Sequence, residues 1–497
     1  MKTRRLISIV ARNECRLLFG DRTALLALLA IALAVMYAGS EGSNRARRWR
    51  ESLDEFSSLQ SFHTARFERR AQAIIEQLAG KPATVRIHKR EFGWGPHVPD
   101  FALAWVPPKA ALPAAPLTAA AVGDSETWFA AYGVSPSIRD PIETAEQPGN
   151  PLQSAMGQFD IAFVVVVLFP LFIITLIHGV LSTERDGGTL ALILAHPVGG
   201  ATLTMGKFLA RGSVAVLWPT TLVAATLSFE AAGRAGATSR LALWLAVMLA
   251  YGIFWVAAAV WLDSRSRTAA VSAVMLGSVW LVVTIVTPAV LSGILQTLHP
   301  VPPSAQLLNS ERASEQQARL ATTTLTQDEQ REVVREMLAA NPDMDQDISL
   351  YKDLALLRAV ALAANLRSAR ELEAVRKSFD GPRRDQRRLL SVLRFISPAV
   401  LLQGMLYDLA GAGPSRYEDF LQQTRNFQHE VEQWALDRRL HKIQMTHEQY
   451  ASIPRFHYVE ETTATAVRLV ALPLFSLYIL SAGAVIFAYR AARRLAP

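Results

Sequence analysis

The stretch Gly200 to Phe208, GATLTMGKF, is the nearest this sequence comes to a loop that cradles a phosphate. Its chemistry fails on three counts. The interval from Gly200 to Gly206-Lys207 carries one residue too many, Phe208 stands where a Ser or Thr would hold magnesium, and no strand precedes the loop. Histidine offers little more. His441 and His447 with Met445 between them, and His88 with His97, could be imagined as metal ligands, but neither spacing puts two imidazoles on one helical face. His178 sits near the end of an apolar run, where a helix-pairing or interfacial role competes with proton relay. No HExxH, GxSxG or CxxC occurs, so metalloprotease, hydrolase and thiol-redox readings lack support. We expect no catalytic residue, no metal and no cofactor held by this chain.

The residues that can do work are of another kind. The polar interval Thr183 to Lys207, TERDGGTLALILAHPVGGATLTMGK, separates two hydrophobic spans. Its charged start (Glu184, Arg185, Asp186), its glycine pair (Gly187, Gly188) and its apolar run Leu190 to Leu194 describe a short amphipathic helix lying along a membrane face, stopped by Pro197. Such an element suits docking onto a partner at that face.

The elements that must position it are transmembrane. About half of the 497 residues are apolar, and they are unevenly placed. Six stretches approach or exceed the roughly 18 to 20 residues that cross a hydrocarbon core: Thr23–Ser40, Ile161–Leu181, Gly212–Phe229, Leu241–Leu262, Ala269–Leu295 and Leu469–Tyr489. Basic residues cluster at the amino end (Lys2, Arg4, Arg5, Arg12, Arg16, Arg22) and the carboxyl end (Arg490, Arg493, Arg494). Six spans place both ends on one side, so the positive-inside rule predicts cytosolic termini, a cytosolic loop at Asp263–Thr268, and an outside loop at Glu230–Arg240 despite Arg234 and Arg240. The net charge of +8 follows from this topology, and no nucleic-acid partner is inferred from it. Ala38-Gly39-Ser40 resembles a signal-peptide cleavage site, but the long amphipathic region before it suits a retained helix resting on the inner leaflet. Cys15 is the sole cysteine, so no disulfide can staple the exported segments.

The expected fold is mainly α: a six-helix polytopic membrane protein with two largely helical extracytoplasmic insertions, the first containing a small strand and loop region. Residues 1–40 form the amphipathic helix and first span, 41–160 the first insertion, 161–295 spans two to five with the elbow at 183–207, 296–468 the second insertion, and 469–497 the last span and tail. In the first insertion a helix continues outward from span one until Gly80. A short strand follows at Val85–His88, then extended or irregular chain from Pro96 to Pro116, capped by Trp94, Trp105 and Trp128. In the second, helices are expected over Ser310–Ala340, Asp347–Phe379 and Tyr417–Arg439. The broken apolar segment Phe395–Gly413 would line a groove at the membrane surface.

Six spans with both ends inside, an amphipathic amino helix and an elbow reading ERDGGTLALILAHPV resemble the permease subunits of ABC-2 type transporters. The elbow pattern of that family is matched by Glu184, Arg185, Asp186, Gly188, Thr189, Leu190 and Pro197. The large insertions look like those of a bacterial subgroup whose outer part has no known function. The resemblance implies a non-enzymatic subunit of the bacterial cytoplasmic (inner) membrane, working as a homodimer or heterodimer with a second permease subunit. ATP and Mg would be bound by a separate cytosolic ATP-binding subunit, into which the elbow seats. It implies ATP-driven export. Two other readings stay open: transmission of force to an extracytoplasmic partner, and a membrane-anchored binding or sensory protein without ATP coupling.

Overall fold

Asp21 separates two helices of different character. Its carboxylate accepts from the Thr23 N–H (2.9 Å) and hydroxyl (2.7 Å), so the amphipathic helix Lys2–Gly20 ends and a new helix starts at Arg22. That second helix, in the computed structural model of the chain, runs unbroken from Arg22 to Leu78. Its 57 residues span roughly 85 Å at 1.5 Å per residue, far more than a bilayer. The amino half is apolar and the outer half is polar, and the helix passes Ala38–Ser40 without interruption. Gly39 is required there: a β-carbon would lie 2.3 Å from Thr226 Cγ2 on the third span.

The structure describes residues 2–82, 95–123, 131–134, 142–143, 159–195, 199–234, 236–300, 326–340, 381–441 and 443–494, with isolated positions between them. Six helices among these are long and apolar enough to cross a membrane. After the first come Ile161–Asp186, Gly200–Ala231, Ala237–Asp263, Ala269–Leu298 and Thr463–Arg493. The fold is the mainly α, polytopic membrane architecture that the hydropathy pattern implied. Buried residues of the spans form one continuous core, with Phe169, Trp244, Tyr251 and Trp255 fully enclosed. One boundary moves substantially. The third span starts at Gly200, twelve residues before the expected Gly212, because nothing after Gly200 breaks a helix and the charge of Lys207 is neutralised by partners. Pro219 and Pro473 lie inside their helices, whereas Pro170 and Pro288 each follow a five-residue π-helical segment, Val164–Leu168 and Val282–Val286.

At the insertion end, the two hydrophilic segments share one hydrophobic core. Leu103, Ala110, Leu112, Tyr132 and Val134 from the first pack against Phe420, Phe427, Val431 and Ala435 from the second. The first contributes the antiparallel sheet β1 (Lys109–Ala111), β2 (Ala131–Gly133) and β3 (Ile142–Glu143), in the order β1-β2-β3. The proline-rich run is less irregular than expected. Pro99–Trp105 is a helix, since proline at its first turn carries no N–H that the helix would need. Trp105 is 64% exposed and caps nothing; Trp49 does so, its indole donating to the Leu112 carbonyl at 3.0 Å. The expected strand at 85–88, apart from Ile87, Trp94, Trp128 and the expected helix at 347–379 lie outside the described residues. Of the helix expected over 310–340, Gln327–Ala340 is described and helical. The helix expected at Tyr417–Arg439 is Pro414–Leu440.

The segment Phe395–Gly413 differs most from the sequence reading. A helix over 381–393 descends beside span five, with Gln386 donating to the His299 carbonyl at 2.7 Å, and turns at Ser397, whose hydroxyl bonds the Val283 carbonyl at 2.9 Å. Helix Pro398–Ala410 then returns toward the insertion end, where Gly411 and Ala412 meet Ala115 and Gly123. Ala399, Leu401, Leu402, Met405, Leu406 and Leu409 are all buried in the span core. This is a packed re-entrant hairpin, not a groove: the 13-residue helix, rich in Leu and other apolar residues, buries better between helices than at a surface.

The contacts also fix relative sidedness. Arg234 donates to the Pro116 carbonyl (3.1 Å), and Arg240 to the Glu461 carbonyl (3.1 Å). The loop carrying them therefore shares a face with both insertions, and the elbow lies at the opposite ends of spans two, three and four.

Candidate functional site: the elbow joint

Span two ends at His178, which leaves the helix with ψ 138° and whose Nδ1 lies 3.0 Å from the Ile174 carbonyl. The intramembrane histidine is thus part of a helix terminus. Gly179 follows at φ +82°, a left-handed conformation that favours glycine, with Thr183 Oγ1 and Ala269 Cβ close to where a side chain would stand. The chain then folds into two short helices, Ser182–Asp186 and Thr189–Leu194, joined by Gly187 and Gly188 (φ +70°). The single amphipathic helix expected from the sequence is divided at the glycine pair for this reason. The Thr189 hydroxyl donates to the Glu184 carbonyl at 3.1 Å and closes the turn.

Three anchors hold this elbow to its own chain. The first is Asp263, at the end of span four and fully buried. Its carboxylate accepts from Gly179 N (3.1 Å), Leu181 N (2.8 Å) and Ser182 Oγ (2.6 Å). It satisfies the backbone groups that span two leaves open as it ends. The second is Arg185, whose guanidinium donates to the carbonyls of Ser266 (2.5 Å) and Ser264 (2.9 Å) in the loop that joins spans four and five. The third is a charge cluster. Glu184 pairs with Lys207 at 2.5 Å, Lys207 approaches Glu14 at 3.6 Å, and Glu14 accepts from Arg211 at 2.6 Å while Arg211 also donates to the Leu176 carbonyl. Two acids face two bases, so the cluster is neutral although Glu14 and Lys207 are almost wholly buried. It ties the elbow and span three to the amphipathic amino helix, where Gly206 lets Val10 approach: a β-carbon would lie 2.7 Å from Val10 Cβ.

The residues singled out from the sequence therefore divide. Glu184 and Arg185 are anchors, Leu190 is buried, and Gly188 shapes the turn. Asp186, Thr189, Ala191 and Leu192 are exposed, Leu192 by 69%. Pro197 lies outside the described residues. Glu14, Lys207, Arg211, Ser182 and Asp263 were not anticipated. Charges within or beside apolar runs were the available signal, since such groups are retained only when paired. Lys207, the would-be phosphate ligand, is committed to two carboxylates on the third-span helix. Among the described residues no cluster of three or more His, Cys, Asp or Glu could hold a metal.

This site is a structural joint at one end of a six-span membrane protein, and that class is where the comparison with known families falls. Residues 10–403 match the model of the family described as ABC-2 family transporter protein. The chain belongs to that family, and is a membrane component of a transporter. The match takes in the second half of the amino helix, spans one to five, the elbow and the re-entrant hairpin as far as the first half of its returning helix. No curated protein matches the sequence at a significant level.

Proposed function

We propose that this protein is the membrane-spanning permease subunit of an ATP-driven transporter, in which the elbow seats on a separate ATP-binding subunit and passes its motion into the spans to export an as yet unidentified substrate. Family membership supports partnership with such a subunit. The observation that carries the reading is the division of labour in the elbow. Asp263, Arg185 and Glu184 clamp it rigidly to three other segments, while Leu192 projects uncovered beside Asp186 and Thr189. A stiff mount with an exposed apolar knob suits a lever that another protein pushes. ATP and Mg belong to that partner. The arginines of both termini support a cytosolic elbow in a bacterial inner membrane, and a second permease subunit would complete the pathway.

The test is co-purification in mild detergent of the chain expressed with its neighbouring genes, as wild type and with Asp186→Lys plus Leu192→Asp, which leave the three anchors intact. An ATPase captured by the wild type and lost by the variant supports the reading; no ATPase in either sample removes it in favour of an anchored binding or sensory protein.

A second reading, force delivered to an extracytoplasmic partner, is favoured by one feature. The first span continues without a break into the shared outer core, through Trp49. A rigid rod from joint to outer core serves mechanical transmission as well as transport, and flux of a substrate into vesicles separates the two.

A further inference from the structure

The two π-helical segments lie at one level of the bundle, and side chains bond the carbonyls of each. Pro170 follows the first segment and has no N–H to offer the carbonyls of the preceding turn, where Tyr251 of span four donates its hydroxyl to the Val166 carbonyl at 3.2 Å. The adjacent Val167 carbonyl accepts from the Trp280 indole of span five at 3.1 Å. In span five, Pro288 cannot serve the Val283 carbonyl in the π register, and the Ser397 hydroxyl at the tip of the re-entrant hairpin takes it at 2.9 Å. The Thr287 hydroxyl bonds the Val282 carbonyl at 2.7 Å. Two broken helices are thus repaired from outside, which is the condition for bending at a fixed place without exposing backbone to lipid.

Two further observations suggest that this layer has a second arrangement. Thr284 Oγ1 and Trp255 Nε1 are buried with no hydrogen bond of good geometry and lie within reach of the Tyr251 hydroxyl, Trp255 fully enclosed and stacked edge-on to Tyr251 with ring centroids 6.2 Å apart. Unmet polar groups beside a satisfied hydroxyl give it alternative partners. The layer also sits between the moving end and the far end. Span two runs from Val166 to the Asp263-clamped elbow, roughly 17 Å away for eleven helical residues, and Ser397 begins the hairpin helix that returns to Ala115 and Gly123 of the first insertion.

We propose that the segments Val164–Leu168 and Val282–Val286 form one paired hinge, latched by Tyr251, Trp280 and Ser397, through which displacement of the elbow moves the re-entrant hairpin. The inference deepens the permease reading, and the elbow's partner supplies the displacement. Tyr251, Trp280 and Ser397 are positioning residues.

Two measurements test it on the full-length chain in lipid nanodiscs. Hydrogen exchange read by mass spectrometry needs no partner. Tyr251→Phe deletes one hydroxyl and keeps the ring, and is expected to speed exchange over 164–171 about five- to tenfold while leaving 216–223 of span three unchanged. Equal rates in wild type and variant overturn the latch. For the hinge, nitroxide labels are placed at Ala195→Cys and Ile396→Cys in a Cys15→Ser background, in complex with the ATP-binding subunit. The distance between them is expected to change on vanadate trapping. It is expected to stay fixed in Pro170→Ala plus Pro288→Ala, which restores both N–H groups, although that variant still captures the ATPase. A change that survives the double substitution, or no change in the labelled parent, overturns the hinge. Failure to capture any ATPase counts against the permease reading alone, and the exchange experiment still decides the latch.

Discussion

Asp263→Asn is the sharpest perturbation of the joint because it changes one atom in a fully buried side chain. Oδ1 accepts from Gly179 N and Ser182 Oγ, and Oδ2 from Leu181 N. An amide presents one oxygen and one NH2 group. Placing its oxygen at Oδ1 sets the NH2 against the Leu181 N–H; the reverse sets it against Gly179 N–H, since the serine hydroxyl can turn to accept. Either orientation leaves one buried donor unmet and removes charge assistance from the other bonds, a cost of about 2–4 kcal/mol. If the elbow opens locally, amide exchange over 179–186 should rise roughly 30- to 700-fold, while that of the outer core stays as in wild type. Hydrogen exchange at peptide resolution reads both regions in one experiment. Exchange over 179–186 within threefold of wild type would refute the claim that Asp263 clamps the elbow.

Lys207→Met leaves Glu14 and Glu184 facing each other without their shared cation, and thermal unfolding should register a loss of about 3–5 kcal/mol. Gly206→Val should push the amino helix off span three at a cost of about 1–3 kcal/mol, seen as faster tryptic cleavage at Arg12 and Arg16 with the spans intact. At the insertion end, Arg416 pairs twice with Glu460 (2.8 and 2.7 Å) and also donates to the Pro113 carbonyl, so Arg416→Ala should lower the melting temperature, whereas the exposed pair of Arg48 and Glu41 can be removed without measurable effect. The hydrogen bond that His447 donates to the Glu68 carboxylate raises the histidine pKa, with Glu448 adding to the shift, so this contact between the insertions stabilises fully below the ordinary imidazole value of 6.5 and is lost as pH rises through the raised folded value. Glu68→Gln should flatten that pH dependence of thermal stability, and an unchanged profile would remove His447 as its source.

The sequence shows the spans because apolar length is a property of neighbouring residues along the chain, and all six were legible on that ground. Where an element ends depends on its partners, which are distant in sequence. Gly200–Phe208 looked like loop because Lys207 is a charge in an otherwise apolar approach. It is helix because Glu14 and Glu184, 193 and 23 residues away, neutralise it. The hairpin at Phe395–Gly413 was similarly hidden. Pro398 and Gly404 argued against a span, correctly, but only the bonds from Gln386 to His299 and from Ser397 to Val283 reveal a segment that enters and returns. The shared outer core was beyond reach for the same reason: Tyr132 and Tyr417, whose hydroxyls meet at 2.5 Å, are separated by four spans and most of the chain.

The elbow residues illustrate how a pattern and a role come apart. Glu184, Arg185 and Asp186 are consecutive, and the sequence treats them as one charged start to an amphipathic helix. A helix turns by about 100° per residue, so three consecutive side chains cannot share a face. Glu184 turns to Lys207, Arg185 to the carbonyls of the loop after span four, and Asp186 outward. The first two stiffen the mount, and stiffness is what makes the third useful, together with Leu192: a contact surface transmits motion only if it moves less relative to its own spans than the partner moves it. Substitutions at Glu184 or Arg185 should therefore lower coupling by loosening the joint, with the exposed surface preserved, whereas substitutions at Asp186 or Leu192 should lower affinity for the partner with the joint unchanged. Binding and coupling measured separately on the two sets distinguish the roles that a single motif had merged.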